Sequence, residues 1–503
     1  MGFAGRVDSP RTGEGRWPGL RELVRWLVLL VVCVGSVMRG EAAGARPNIV
    51  LILADDLGVH DLGCYGADLH ETPAIDRLAR EGMQFFRAYS ASPVCTPTRA
   101  SLMTGKHPAR LRMTIWSEGS LKGPTDRRLL QADSLHDLPR TEVTLAKHLQ
   151  AAGYLTALVG KWHLGDANHA PEAHGFDVNI GGTHWGAPAS FFFPYRGSGR
   201  FGAELRYVPH LEFGREGEYL TDRLTEEALR VIDAGAARRQ PFFLYLAHHA
   251  PHTPIEAKAP DVAHFESKLR PGLVHRNPVY AAMVRSLDES VGRVLGRLRK
   301  GGLETNTLVV FASDNGGYLG TDARQTIPVT TNAPLRSGKG SLYEGGIRVP
   351  LLLKWPGVTK ASSKSAEPVV LTDLFRTLMT AAGVAVPAGL PEDGVDLAGL
   401  IREPASSLGR EALYFHYPHY YHAPKTAPAS AVQVWPWKLV EHLEDGRVEL
   451  FDLGKDPGEA TDLAGSETAR VAELRKRLAG WRGEVGAAMP TANPAFRSGA
   501  GTE

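Results

Sequence analysis

Asn48-Ile49-Val50-Leu51-Ile52-Leu53-Ala54-Asp55-Asp56 is a continuous apolar, β-branched run that stops on two carboxylates. Such a run is expected of a strand buried on both faces of a parallel sheet. The same junction recurs along the chain. A strand over 155–159 leads into Gly160-Lys161-Trp162-His163, one over 242–247 into His248-His249-Ala250-Pro251-His252-Thr253-Pro254, and one over 307–312 into Ser313-Asp314-Asn315-Gly316-Gly317. Helical patterns lie between and after them, over 73–81 (Thr72 as cap, Pro73 in first position, Gly82 beyond the end), 142–152, 221–235, 278–300 and 373–382. The alternation predicts an α/β fold, a large mixed, mostly parallel sheet sandwiched by helices. Ligands bind such sheets outside the carboxyl ends of the strands, so the polar junctions should converge on one edge.

Beyond residue 411 the pattern breaks into short runs at 430–434, 437–441 and 448–452, with one amphipathic helix near 468–485. This predicts a smaller C-terminal antiparallel sheet plus helix. The expected organisation is an N-terminal extension with a signal peptide (1–45), the main α/β domain (46–405), a small α+β domain (406–487) and a flexible tail (488–503).

The 503 residues carry 57 basic and 55 acidic side chains, a net charge of +2, which argues against bulk attraction to nucleic acid or to membrane surfaces. Arg21 and Arg25 precede an apolar run over 26–38 and then the small residues of Glu41-Ala42-Ala43-Gly44-Ala45. That is the pattern of a secretory signal peptide, with an uncleaved anchor as the alternative. The protein is expected to be exported, to a periplasmic, extracellular or secretory-pathway compartment, with no stable membrane span once the leader is removed. Cys64 and Cys95 then remain, and a single disulfide between them is one reading. The other is a packed thiol at Cys64, in the turn-rich Asp61-Leu62-Gly63-Cys64-Tyr65-Gly66, and a functional Cys95.

Asp55, Asp56, Asp314 and Asn315 offer only oxygen ligands from two strand ends. That donor set suits a hard divalent cation, Ca²⁺ or alternatively Mg²⁺, and not zinc. Turn chemistry at strand ends is the alternative for either pair taken alone. In Cys95-Thr96-Pro97-Thr98-Arg99-Ala100-Ser101-Leu102-Met103-Thr104-Gly105, Thr96 is placed to cap a short helix, Pro97 to open it and Gly105 to end it. Cys95 then lies at a helix N-terminus, where free N–H groups and the helix dipole favour an anion, with Arg99 adding charge one turn along.

The spacing C-x-P-x-R followed by T-G resembles the signature of the formylglycine-dependent sulfatase family, arylsulfatase-like members of the alkaline-phosphatase-like superfamily. The resemblance implies that a formylglycine-generating maturation enzyme oxidises Cys95 to an aldehyde. Its hydrate would attack sulfur and later expel sulfate. It also implies that Asp55, Asp56, Asp314 and Asn315, with the residue made from Cys95, ligate one divalent cation. Lys161 and His163 in Gly160-Lys161-Trp162-His163-Leu164-Gly165 match a further family motif. So does Lys339 in Leu335-Arg336-Ser337-Gly338-Lys339-Gly340, followed by Tyr343-Glu344-Gly345-Gly346, and His252 matches the histidine of Pro-His-x-Pro. Arg99, Lys161 and Lys339 would offset charge on the sulfuryl group, and His252 and His163 would serve as acid and base. Thr183 and His184 fall where the family often has another sulfate contact.

The likeness runs from about residue 46 to 464, including Glu449-Leu450-Phe451-Asp452-Leu453 and Asp456-Pro457. The activity it implies is hydrolysis of sulfate monoesters, on an aryl sulfate or a sulfated carbohydrate. Two other readings share these residues. One is a formylglycine-dependent phosphodiesterase or phosphonate monoester hydrolase, and the other a non-catalytic protein that binds sulfated glycans. Loops over 165–219 and 414–429, rich in aromatics and histidines, are expected to hold the sugar or aryl group.

Overall fold

In the computed structural model, which describes residues 1–6, 46–121, 123–199, 202–322, 325–391, 393–423 and 425–497, the opening run forms strand β1 (Asn48–Ala54), buried along its whole length. Its side chains alternate between two cores, as the two-residue period of a strand requires. Ile49, Leu51 and Leu53 join one apolar cluster, and Val50, Ile52 and Ala54 the other. The further strands of the main sheet are β2 (Met83–Phe85), β3 (Leu155–Gly160), β4 (Val178–Ile180), β5 (Phe242–Ala247), β6 (Thr307–Ser313), β7 (Leu351–Lys354) and β8 (Ser363–Ser365). Among the described residues they make an eight-stranded sheet in the order β8-β2-β7-β6-β1-β5-β3-β4.

The strands from β6 to β4 in that order run parallel, with Val50 opposite both Val309 and Leu244. Strand β7 runs antiparallel to both its neighbours, which makes the sheet mixed but mostly parallel, as expected. The carboxyl ends of β1, β3, β5 and β6 therefore share one edge. The helices Leu220–Arg238 and Pro278–Lys300 pack on one core, and Leu145–Ala151 and Asp373–Ala381 on the other.

The smaller antiparallel sheet contains Leu413–Tyr417, Ala429–Val434, Trp437–His442 and Val448–Asp452. One face takes Leu474, Leu478 and Trp481 of the helix Thr468–Val485; the other packs Phe415, Ala431 and Phe451 with Tyr89, Val94 and Ile347. This second sheet thus supports the residue just before Cys95. Buried Lys438 reaches across the same face, with Glu344 at 3.0 Å and Glu459 at 2.8 Å. Lys438→Met would leave buried Glu459 without this cation and Glu344 with only Arg348 at 3.7 Å, and a loss of about 3–5 kcal/mol of stability is expected in urea unfolding.

Some expectations are corrected. The stretch read as a flexible tail from 488 is tied down well past its start: Thr491–Ala492 pairs with Leu129–Leu130, and Asn493 Nδ2 donates to the carbonyls of Thr125 and Arg127. The strand Leu413–Tyr417 was not expected, and the helix predicted from 142 starts at Leu145, capped by Thr144, whose hydroxyl accepts from Lys147 N–H. Cys64 and Cys95 are both free thiols. The predicted leader, 26–38 with its cleavage region 41–45, lies outside the described residues. Among the described residues no helix is long and apolar enough to cross a membrane.

Candidate active site

Strands β1, β3, β5 and β6 each end by handing one polar cluster to the shared edge. Asp55 and Asp56 follow β1, and Asp314 and Asn315 follow β6. The junctions are latched by backbone: Asp55 N–H donates to Ala250 O, Asp314 N–H to Ala54 O, and Lys161 N–H to Ala247 O. Asp56 and His163 adopt φ angles of 64° and 59°. Left-handed backbone is uncommon outside glycine and concentrates where surrounding contacts over-determine it.

Three buried cations face three buried carboxylates. Lys161 Nζ lies 2.6 Å from Asp55 Oδ2, and Lys339 Nζ 2.7 Å from Asp56 Oδ1. Arg99 donates through Nε to Asp314 Oδ2 at 2.8 Å and through its NH1 nitrogen to the Lys161 carbonyl at 3.0 Å. Burial pushes the Asp56 carboxyl up, but Lys339, His252 and Lys161 outweigh it and hold it at about 2. Burial, with the Asp55 carboxylate beside it, drives Asp314 up to about 6 against the pull of Arg99. Asn315 Nδ2 donates to Asp56 Oδ1 at 2.8 Å and to the Gly316 carbonyl, leaving its Oδ1 buried and, like Asp55 Oδ1, without a hydrogen-bond donor among the described residues. Ligand atoms of Asp55, Cys95 and Asp314 lie within 4.8 Å of one another.

Cys95 opens the helix Cys95–Thr104 itself, with Val94 as its extended cap. The expected Thr96 cap is not formed, because the Thr96 hydroxyl donates instead to the His163 carbonyl at 2.9 Å. Gly105 ends the helix in the left-handed region, as expected. Burial pushes the Cys95 thiol up, against the pull of Lys161 and Lys339.

Cys95, Asp56, His163, His252 and Lys339 line one cavity of about 420 Å³. Arg99, Lys161, Asp55, Asp314 and Asn315 are fully buried and do not line it. His252 Nδ1 lies 2.7 Å from the Thr253 carbonyl and Nε2 3.5 Å from Asp56 Oδ2. A carbonyl only accepts, so Nδ1 carries a proton and Nε2 is the atom that exchanges one. Burial, with Lys339 and Lys161 adding to it, pulls His252 down to about 3 against Asp56. Burial and Lys161 likewise bring His163 down to about 4.

Thr183 and His184 do not line the cavity. The Thr183 carbonyl accepts from His163 N–H, and His184 lies tilted against the Trp185 ring, 4.6 Å between centroids, and 3.8 Å from Glu204. His248 is spent on Ser290, at 2.9 Å.

Sequence reasoning missed Glu118 and Arg206, which pair at 3.2 Å on the cavity wall, with Glu118 Oε2 3.8 Å from His163 Nε2. Glu118 sits in the short helix Ser117–Leu121, away from any strand end, and carried no signal. Arg206, Tyr421 and His422 fall inside the loop ranges flagged by composition. Gly186 presses on the same histidine, since a Cβ there would meet His163 Cε1 at 2.4 Å. Gly186→Ala should keep the melting temperature within a few degrees yet lower kcat/KM about tenfold or more, because the ring can yield only by leaving its place in the site.

Comparison with known proteins accords with this geometry. The family description "Sulfatase" matches residues 47–384, and "N-sulphoglucosamine sulphohydrolase, C-terminal" matches 338–483. N-acetylgalactosamine-6-sulfatase of Sus scrofa is 33% identical over 495 residues, covering 90% of this chain and 88% of its own length. Steryl-sulfatase of Mus musculus is 33% identical over 522 residues, covering 85% and 80%. The solved structure of Ps i-CgsB in complex with k-i-k-neocarrahexaose superposes with a TM-score of 0.73 at 31% identity, covering 90% of this chain and 94% of that one. The match spans the mixed sheet and every strand end that feeds the cavity, and on that ground the chain belongs to the sulfatase family and is a sulfatase, a hydrolase of sulfate esters.

Proposed function

We propose that this sulfatase desulfates sulfated carbohydrates, that Cys95 is converted to formylglycine before it acts, and that Asp55, Asp56, Asp314 and Asn315 hold one divalent cation, Ca²⁺ in preference to Mg²⁺. The observation that carries the reading is the position of Cys95, with its sulfur within 4.8 Å of carboxylate oxygens of Asp55 and Asp314 and lining one cavity with Lys339, His163 and His252. A buried thiol pushed up by its surroundings is a poor nucleophile, which favours the modified residue, whose hydrate would supply the attacking hydroxyl. The two orphaned buried oxygens, Asp55 Oδ1 and Asn315 Oδ1, fit a hard cation among all-oxygen donors. When bound, that ion would supply charge to polarise a sulfate oxygen.

The chain's own residues divide the remaining work. Lys339 faces the cavity, so its charge acts on the sulfuryl group as it transfers. Arg99 and Lys161 act through Asp314 and Asp55, holding those carboxylates in place. A bound sulfate ester would bring negative charge beside His252 and favour its protonated form, so that Nε2 takes up a proton and gives it to the departing alcohol, and His163, beside Glu118, takes one in the later step. In this reading residues 46–405 form the catalytic domain and 406–487 a small domain that lends Tyr421 and His422 to the cavity. The chain is exported through its leader and meets a formylglycine-generating enzyme on the way. A carbohydrate substrate is supported by the names of two of the three relatives, the N-acetylgalactosamine-6-sulfatase and the neocarrahexaose complex, and by the aromatic rim of Trp116, Tyr318, Tyr421 and His422.

Paired assays test this. With protein matured in the presence of a formylglycine-generating enzyme, sulfate release from aryl sulfates and sulfated sugars should exceed turnover of aryl phosphodiesters and phosphonate monoesters. Faster phosphoryl chemistry would overturn the sulfate assignment, and retention of sulfated glycans with no turnover of either class would leave only a binding protein.

A further inference from the structure

Trp116, Tyr421 and His422 line the active-site cavity on one side and a second cavity, of about 500 Å³, on the other. This shared wall is a packed aromatic unit. Trp116 meets Tyr421 edge-on with ring centroids 5.9 Å apart, and Tyr421 lies 4.5 Å from His422. It is also seated on the catalytic loop. A Cβ at Gly340, next to Lys339, would fall 2.1 Å from Tyr421 Cδ1, and the Thr426 hydroxyl donates to the Gly340 carbonyl at 2.7 Å.

The charge in the second cavity is mainly cationic. Arg127 and Lys425, both exposed, line it; among the described residues Lys425 forms no ion pair and Arg127 has only the exposed Asp126 at 3.5 Å. Among the described lining residues the one carboxylate, Glu444, already accepts from the Tyr420 hydroxyl at 2.6 Å. The segment that presents Arg127 is pinned by Asn493, which donates to the Arg127 carbonyl at 2.7 Å and whose own N–H bonds the Arg128 carbonyl. Aromatic faces with a few fixed polar groups are the usual make-up of a small-molecule site, and guanidinium and ammonium groups not otherwise neutralised select anions.

We infer that the second cavity is a subsite for the neighbouring sugar of an oligosaccharide, and that it selects a neighbour bearing its own anionic group, a sulfate or a carboxylate. The chain would cross the Trp116–Tyr421 wall with the sulfate to be removed at Cys95 and the second anion between Arg127 and Lys425. This rests on the reading above that the substrate is a sulfated carbohydrate, and it names the kind: a polyanionic chain, not a singly sulfated sugar.

The test measures binding by calorimetry to full-length Cys95→Ala protein, which keeps substrate intact. The probes are mono- to hexasaccharides of three types: ι-carrageenan (sulfated neighbour), chondroitin 6-sulfate (uronate neighbour) and a singly sulfated agar-type galactan (neutral neighbour). Affinity should rise about ten- to hundredfold on adding the neighbour in at least one anionic series and not in the neutral one. R127A/K425A in the same background should remove that gain, while in the Cys95 enzyme it should leave 4-nitrophenyl sulfate turnover within about twofold. The anionic series that gains identifies the group as sulfate or carboxylate. Equal gains in all three series, no gain in any, or a gain that survives the double variant would overturn the subsite. Loss of aryl sulfate turnover in the parent enzyme, with the anionic gain intact, would overturn the catalytic reading and spare the subsite.

Discussion

Replacing His252 by alanine is expected to lower kcat/KM on a sulfated sugar by about 10²- to 10⁴-fold, the usual worth of general acid help, and far less on an activated aryl sulfate. The difference comes from the leaving group. A sugar alkoxide is strongly basic and departs only with a proton, whereas a nitrophenolate is stabilised and departs without one. The Thr253 carbonyl fixes the Nδ1 proton, so the proton in play is at Nε2, which faces the cavity beside Asp56. Lys339→Ala, whose charge acts on the sulfuryl group throughout, should depend less on the leaving group. Rates for both variants across aryl sulfates of graded leaving-group pKa decide the matter. A steeper dependence for His252→Ala than for the parent supports the assignment; parallel lines would mean that His252 binds sulfate without donating a proton.

Prolonged dialysis against a strong chelator should abolish turnover and lower the melting temperature, and Ca²⁺ should restore both. Asp55, Asp56 and Asp314 crowd three buried carboxylates into one cluster, each matched by one cation from the chain, Lys161, Lys339 and Arg99. That pairing keeps the ion-free protein folded, so the loss should be partial. A cation held at a few hundred to a thousand times its Kd adds about 3–4 kcal/mol, and that is the expected stability difference. Asp314→Asn should shrink the Ca²⁺-dependent gain in melting temperature. An unchanged activity and melting temperature after chelation would rule out the oxygen-ligand site.

Much of this was legible in sequence because of how parallel strands are buried. A strand covered on both faces, such as 48–54, must be apolar throughout, and its abrupt polar end then marks the functional edge. The junctions after β1, β3, β5 and β6 could be read one by one, and the sheet brings all of them together. Less was legible where the partner lies far along the chain. The antiparallel direction of β7 depends on pairing with β2 and β6, which no local pattern encodes. Thr96 has the chemistry of a cap, yet its hydroxyl finds the His163 carbonyl, 67 residues away. Glu118 reaches Arg206 across 88 residues, from a short helix with no motif around it. The stretch after 488 reads as loose because its two-residue strand gains meaning only beside Leu129–Leu130.

Turnover depends on what Cys95 becomes, and the mass of the peptide that contains it, from fully active protein matured with a formylglycine-generating enzyme, tests this most directly. The expected residue has lost its sulfur and carries an aldehyde, captured by a hydrazide probe, in proportion to specific activity across preparations. Full activity with Cys95 entirely as free thiol, or in a disulfide with Cys64, would contradict it.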